Sequence, residues 1–206
     1  MTSLFFSALM LWLIVMSLVQ KKIQKNRFFT TPVFPFLVVG LGVGGLLFFP
    51  LGGFPLTYWS ASLMSCFSLP LVALLLILIV ERLFSCTLFS PQDWRAAWIF
   101  GAVGSLVLYP AALGLGRIDP YAWGWDVGSF FIVIACLTLV LLLARNRFAI
   151  LLLIAIAAFD IKLQESTNLW DYLIDPIYAI VALLMSMRYL FFKEKQEELP
   201  SPLFVR

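Results

Sequence analysis

The chain has 206 residues, of which 63% are hydrophobic and 12% are charged, with a mean hydropathy of +1.02. Soluble globular proteins have roughly 45–50% apolar and about 25% charged residues. The composition therefore excludes an ordinary soluble domain and predicts an integral membrane protein embedded in a lipid bilayer. The sequence has no histidine, which excludes Ser-His-Asp and Cys-His catalysis and histidine metal sites. Its three cysteines show no CxxC or zinc-ligand spacing, and we expect no nucleic-acid partner.

Seven apolar segments approach the length that crosses a bilayer as a helix. A hydrocarbon core about 30 Å thick needs about 20 helical residues. The segments cover residues 3–20, 32–51, 60–84, 94–114, 127–144, 148–163 and 176–192. They predict an all-α polytopic membrane bundle of seven transmembrane helices in one domain, 1–192, with six or eight helices open if a segment broken by proline or glycine is re-entrant. The charged, proline-bearing stretch 193–206 predicts a disordered cytosolic tail.

The basic residues predict the orientation of this bundle. If the N-terminus is outside and the C-terminus inside, only Arg117 and Lys162 of the 14 Lys and Arg residues fall on the outer side. The positive-inside rule favours that arrangement because the connecting loops are short. The acids on the outer side are Asp119, Asp126, Asp160, Glu165, Asp171 and Asp175. Trp and Tyr residues, Trp170 and Tyr172 among them, cluster near the same outer boundary, where amphipathic rings favour the headgroup region.

Ser90, Asp119 and Asp175 each directly precede a proline, a pattern typical of helix starts. In "SPQDW", Ser90 is predicted to be the N-cap and Asp93 the third helical residue, which faces the exposed amides. Asp119-Pro120 and Asp175-Pro176 follow the same logic, with Asp as the cap and Pro in the first turn. These carboxylates therefore have a structural role without any ligand.

Small residues recur one helical turn apart in two of the apolar segments. Gly40 and Gly44 have this spacing in "VGLGVGGL", and Gly101 and Ser105 have it in the fourth segment. Such spacing leaves a flat groove that lets a second helix approach closely. Packing within the chain and packing against a membrane-protein partner both remain open.

The stretch "QESTNLWDYLIDP", residues 164–176, is the most polar part of the apolar region. Asn168 is predicted to cap a short turn that contains Asp171. The candidate binding residues on this face are Asp119, Asp126, Asp171, Arg117, Lys162, Trp170 and Asn168. Asp160 and Glu165 are the candidate acid and base of a catalytic site. The structural alternative is a short sixth helix whose Asp160 is hydrated or neutralised by Lys162 or Arg117.

Three functions are compatible with these features. The leading hypothesis is a non-catalytic subunit or accessory factor of a bacterial cell-envelope assembly or export complex in the inner (plasma) membrane, because cofactor motifs and nucleophile–base pairs are missing. The second is an outer-leaflet enzyme that acts on a lipid-linked glycan or phospholipid, which would need a divalent cation to bind phosphate beside so many acids. The third is a channel or passive transporter. Secondary active transport is disfavoured, because no ionisable residue falls near the middle of a segment.

Overall fold

A computed structural model describes residues 2–25, 33–63, 67–115, 118–125 and 127–197. Helices dominate these residues, which confirms the predicted all-α class. The α-helices are α1 (Thr2–Lys25), α2 (Val33–Leu47), α3 (Leu56–Leu63), α4 (Leu69–Phe84), α5 (Pro91–Ala112), α6 (Ser129–Leu143), α7 (Phe148–Asp160), α8 (Leu169–Leu173) and α9 (Pro176–Glu197). A 3-10 helix covers Pro120–Gly124, and two short antiparallel strands, β1 (Pro50–Leu51) and β2 (Phe54–Pro55), pair Pro50 with Pro55.

The second and third apolar segments differ from the prediction. The second ends as a helix at Leu47 and continues into the β1–β2 hairpin, whose turn uses Gly52 and Gly53 at φ of 63° and 92°. Positive φ is accessible to glycine at little cost, so this pair permits the tight turn of the hairpin. The third segment is divided between α3 and α4, and Pro70 lies in the first turn of α4, where its missing N–H needs no partner.

Helix length supports fewer spans than the sequence predicts. Among the described residues, α5 alone is long and apolar enough to cross a membrane. The shorter apolar stretches are Leu4–Val19, Val33–Leu47, Ser129–Leu143, Phe148–Asp160 and Pro176–Leu190. With 13 residues, α7 extends about 20 Å against about 30 Å of hydrocarbon. The C-terminal prediction also changes, because α9 makes residues 193–197 helical, while 198–206 lie outside the described residues.

Two contacts join connections that follow alternate helices, one contact at each end of the bundle. The loop after α4 meets the loop after α6, where the Arg147 guanidinium donates to the carbonyl of Leu88. At the opposite end, the 3-10 helix after α5 meets α8 after α7, where Trp170 Nε1 donates to the carbonyl of Pro120 at 2.8 Å. The helices α5 and α7 therefore run in the same direction, and α9, which starts near the end of α5, runs antiparallel to α5.

The contact between α5 and α9 determines the depth of the polar stretch. Gly101 lies against α9 so closely that an added Cβ would be 2.7 Å from Ala182 Cβ and 2.9 Å from Tyr178 Cζ. Gly104 lies against Ile174, the residue before Asp175. Gly104 is eight residues before Ala112, the last residue of α5, and eight residues correspond to about 12 Å of helix. The polar stretch therefore lies well below the end of α5.

Candidate functional site

The polar stretch 164–176 forms a folded core element between α7 and α9. Gln164, Asn168, Trp170, Tyr172 and Asp175 are all buried there, with 0–6% of each exposed. The sequence predicted Trp170 and Tyr172 at the membrane interface, and the structure contradicts this, because both rings pack inside the bundle. The two rings fill the space left above α7, which is too short to reach the end of α5.

Asp175 joins the start of α9 to the start of α4. Its Oδ1 accepts from the backbone N–H of Tyr178 at 2.7 Å, which confirms the predicted cap. Its Oδ2 accepts from the backbone N–H of Ser68 at 2.8 Å and from the Ser68 hydroxyl at 2.7 Å. Burial raises the pKa of the Asp175 carboxyl, and these hydrogen bonds oppose the rise. The contacts to Ser68 span 107 residues of sequence, so no local pattern could predict them.

Asn168 and Trp170 attach α8 to the 3-10 helix. Asn168 Oδ1 accepts from the backbone N–H of Trp170 at 3.0 Å, which confirms the predicted cap of α8. Asn168 Nδ2 donates to the carbonyl of Tyr121 at 2.9 Å. The Trp170 ring stacks on Phe130 with centroids 4.2 Å apart. Any side chain at Gly124 would collide with Asn168, so this close approach requires glycine. Both residues have structural partners through their polar atoms.

Gln164 and Tyr172 close the loop that precedes α8. The Tyr172 hydroxyl accepts from the backbone N–H of Gln164 at 3.0 Å and contacts the carbonyl of Ser166 at 3.1 Å. Gln164 Nε2 donates to the carbonyl of Phe67 at 2.8 Å. Its Oε1 is buried and has no hydrogen-bond partner among the residues that the structure describes. This leaves one buried acceptor unpaired in an otherwise connected network, and such a group costs free energy unless something donates to it.

A cavity of about 240 Å³ lies between the upper part of α5, the 3-10 helix, α8 and the start of α9. It is lined by Leu108, Tyr109, Ala112, Tyr121, Asp171, Ile174, Asp175 and Pro176. Asp171 Oδ2 accepts from the Tyr121 hydroxyl at 2.9 Å, whereas its Oδ1 makes no hydrogen bond to the described residues. Hereafter this space is called the α5–α9 cavity. Its residues come from distant parts of the chain, so the sequence proposed only Asp171 among them as a binding residue and predicted Asp175 as a helix cap.

Most of the residues that the sequence proposed for a site do not line this cavity. Asp160, Lys162 and Glu165 are exposed. Asp119 is exposed as well and caps the 3-10 helix by accepting from the backbone N–H of Tyr121 at 3.0 Å, as predicted. Arg117 and Asp126 lie outside the described residues. Within the described ranges, no three carboxylates or thiols come together as metal ligands. Among the described residues, the acids named in the sequence therefore do not converge as a group, and Asp171 and Asp175 alone share this cavity.

At the opposite end of the bundle, Asp93 joins α5 to α7. Ser90 and Asp93 form the predicted capping box, with Asp93 Oδ2 2.8 Å from the Ser90 backbone N and hydroxyl oxygen. Asp93 Oδ1 also accepts from the backbone N–H of Arg147 at 2.8 Å. Burial would raise the pKa of Asp93, but the hydrogen bonds from Ser90 and Arg147 and the Arg147 charge outweigh it and lower that pKa.

The two small-residue patterns have different surroundings. Gly101 packs against α9, and Ser105, which is buried, donates to the carbonyl of Gly101. Gly40 packs against Trp12 of α1, whose Nε1 donates to the Gly40 carbonyl at 2.8 Å. Nothing in the described part of the chain lies within 4 Å of a Cβ built at Gly44. An apolar groove of about 380 Å³ is present there, lined by Trp12, Phe36, Leu37, Gly40, Leu41, Gly44 and Gly45, and we call it the α1–α2 groove.

Comparison of the chain with models of protein families, with curated proteins and with solved structures gives no match. The interpretation therefore depends on the geometry above. The polar stretch is largely a structural network, the α5–α9 cavity has carboxylate and phenol groups on an apolar wall, and the α1–α2 groove is apolar and open. The cavity has the chemistry to bind a small ligand, and the groove has the shape to accept a helix.

Proposed function

We propose that this protein is a polytopic inner-membrane protein, N-terminus outside, that acts as a non-catalytic subunit of a cell-envelope assembly or export complex. The membrane assignment is supported by the 63% hydrophobic composition and by the predicted orientation, in which only Arg117 and Lys162 of the basic residues fall outside. The short helices are compatible with this membrane assignment, because a folded loop that is buried in protein can lie within the hydrocarbon region of a bilayer. The recessed stretch 164–176 then completes the crossing that α7 is too short to make alone.

The observation that carries the proposal is the open glycine face of α2. Gly101 of α5 is covered by α9, Gly104 by Ile174 and Trp170, and Gly40 by Trp12. Gly44, one turn beyond Gly40, has no neighbour among the described residues. In a bilayer, lipid chains are as apolar as the helices, so association depends on close packing at such small residues. A helix of another membrane protein would find that packing in the α1–α2 groove.

The roles of the outer carboxylates support a non-catalytic reading. Asp175 and Asp171 hold α9, α8 and the 3-10 helix in place through hydrogen bonds. Asp160 and Glu165, the acid and base candidates, are exposed to their surroundings and do not line the α5–α9 cavity. A general acid or base needs a position within hydrogen-bond reach of a bound substrate.

The test compares the size of the assembly for two matched substitutions on α2. Gly44→Leu fills the α1–α2 groove, whereas Gly42→Leu adds the same side chain about 200° around the helix, where it does not line the groove. Each variant is expressed at native level, extracted in mild detergent and run on a native gel against wild type. We expect wild type and Gly42→Leu to migrate as one large complex, and Gly44→Leu to migrate as the released chain. A wild-type protein that migrates as a monomer would refute the subunit role.

A further inference from the structure

We propose that the α5–α9 cavity binds a primary ammonium group, carried either by a lipid headgroup or by a small soluble amine. This inference goes beyond the subunit role, because it concerns a different face of the molecule and can be measured on the isolated chain. It depends on the charge, the free acceptors and the walls of the cavity.

The cavity is lined by two carboxyl groups and by no basic residue. Asp171 and Asp175 both line it, and neither forms an ion pair with a Lys or Arg of the described ranges. Asp175 is only 2% exposed, and the residues that donate to its carboxyl group, Ser68 and Tyr178 among them, are neutral. A buried carboxylate is costly unless it is paired with a positive charge or protonated. A cationic ligand would supply the missing partner.

The cavity also has hydrogen-bond acceptors that no described donor uses. Asp171 accepts through Oδ2 and leaves Oδ1 without a hydrogen bond to the described residues. The Tyr109 hydroxyl likewise has no such bond, and the charges of Asp175 and Asp171 both act on this phenol. Asp171 Oδ1 and the Tyr109 hydroxyl oxygen can therefore accept hydrogen bonds from a ligand, and a primary ammonium group brings three donors.

The size and walls of the cavity favour an organic cation over a metal ion. Calcium takes about 6–8 oxygen ligands, whereas the lining offers two carboxylates and two phenols, and no set of three acidic or thiol ligands exists in the described part of the chain. Leu108, Ala112 and Ile174 supply apolar wall that suits the carbon atoms of an amine. The rings of Tyr109 and Tyr121 can attract a cation electrostatically. A volume of about 240 Å³ is below the roughly 300–1,000 Å³ of drug-sized sites, so the ligand is a small head group.

Thermal unfolding of the purified chain tests this site, since a ligand that binds the folded state raises the midpoint. In one arm, ethanolamine chloride is added to the protein in a non-ionic detergent, with choline chloride and sodium chloride at equal ionic strength as controls. In the other arm, the protein is placed in phosphatidylcholine nanodiscs with and without phosphatidylethanolamine. We expect a higher midpoint with at least one primary amine and with none of the controls, and the responding arm identifies the source.

Three substitutions separate the site from general effects. Tyr109→Phe removes a hydroxyl that has no described hydrogen bond, so the fold is retained while amine affinity falls about tenfold, and Asp171→Asn weakens binding further. Asp160→Asn is the matched control, because that exposed carboxylate does not line the cavity. An equal shift in all variants, or no shift with either amine source, would overturn the proposal. A shift that appears only after Arg117→Gln would also overturn it, since the chain's own guanidinium would then supply the charge.

Discussion

Two buried aspartates, one at each end of the bundle, each hold two helices together. Asp93 accepts from Ser90 on its own helix and from Arg147 at the start of α7. Asp175 accepts from Tyr178 on its own helix and from Ser68 at the start of α4. The hydrogen bonds and the Arg147 charge lower the pKa of Asp93, whereas burial raises the pKa of Asp175. The environment therefore favours the ionised form of Asp93 and disfavours the ionised form of Asp175, although both residues accept hydrogen bonds at the start of a helix.

The substitution Asp93→Asn is expected to lower the free energy of unfolding by about 1–2 kcal/mol, because the amide replaces one of two acceptor oxygens with a donor. The lowered pKa of Asp93 also sets the pH dependence. Its contribution is present above the unfolded pKa of about 3.9 and disappears as the pH falls through the folded pKa. Denaturant unfolding in detergent at pH 7 and pH 3 measures both effects. A difference between wild type and variant that is as large at pH 3 as at pH 7 would contradict the pKa assignment.

The exposed acids Asp160 and Glu165 provide a second prediction at this scale. We expect Asp160→Asn and Glu165→Gln to leave both protein abundance and cellular function unchanged, because neither side chain lines the cavity or a helix contact. Complementation of a deletion strain, with immunoblotting for abundance, measures the two quantities together. Loss of complementation at normal abundance would restore the outer-leaflet enzyme hypothesis.

At the scale of elements, the caps could be predicted from sequence and the contacts between elements could not. Ser90, Asp119, Asn168 and Asp175 all cap the helices that their local patterns indicate. Capping depends on residues within one turn, so a short window contains the information. The α5–α9 cavity joins Tyr109, Tyr121 and Asp175 from separate regions, and only tertiary packing brings them together. The burial of Trp170 was missed for the same reason, because an aromatic residue near a boundary also suits an interface.

A single substitution in α8 tests this packing. Trp170→Phe keeps an aromatic ring against Phe130 but removes the N–H that donates to the Pro120 carbonyl at 2.8 Å. We expect a loss of about 1–3 kcal/mol, the cost of leaving a buried acceptor unpaired. Trp123→Phe is the matched control, because Trp123 is 48% exposed and its replacement should change stability by less than about 0.5 kcal/mol. Equal losses in the two variants would mean that the buried hydrogen bond contributes nothing measurable.

In the whole molecule, the recessed polar stretch 164–176 explains how a very apolar sequence can have helices that are too short to cross a bilayer alone. The sequence predicted seven spans from hydrophobic length, but α4 and α7 have only 16 and 13 residues, and α4 begins and α7 ends at the folded stretch 164–176. Hydropathy could not reveal this, because a buried loop with satisfied hydrogen bonds and a solvated loop have the same composition. Loop contacts join the connections at two ends of the described bundle, and under the proposed membrane crossing those ends would face opposite sides.

The most direct test is chemical labelling of one residue at each end in intact cells. Cys66, Cys86 and Cys136 are first replaced by Ser, and single cysteines are then introduced at Glu165 and at Gln92, both exposed positions. A membrane-impermeant maleimide should label the Glu165→Cys protein in intact cells and the Gln92→Cys protein only after the membrane is permeabilised. Equal labelling of both positions from the same side would contradict the proposed crossing and the outward-facing cavity.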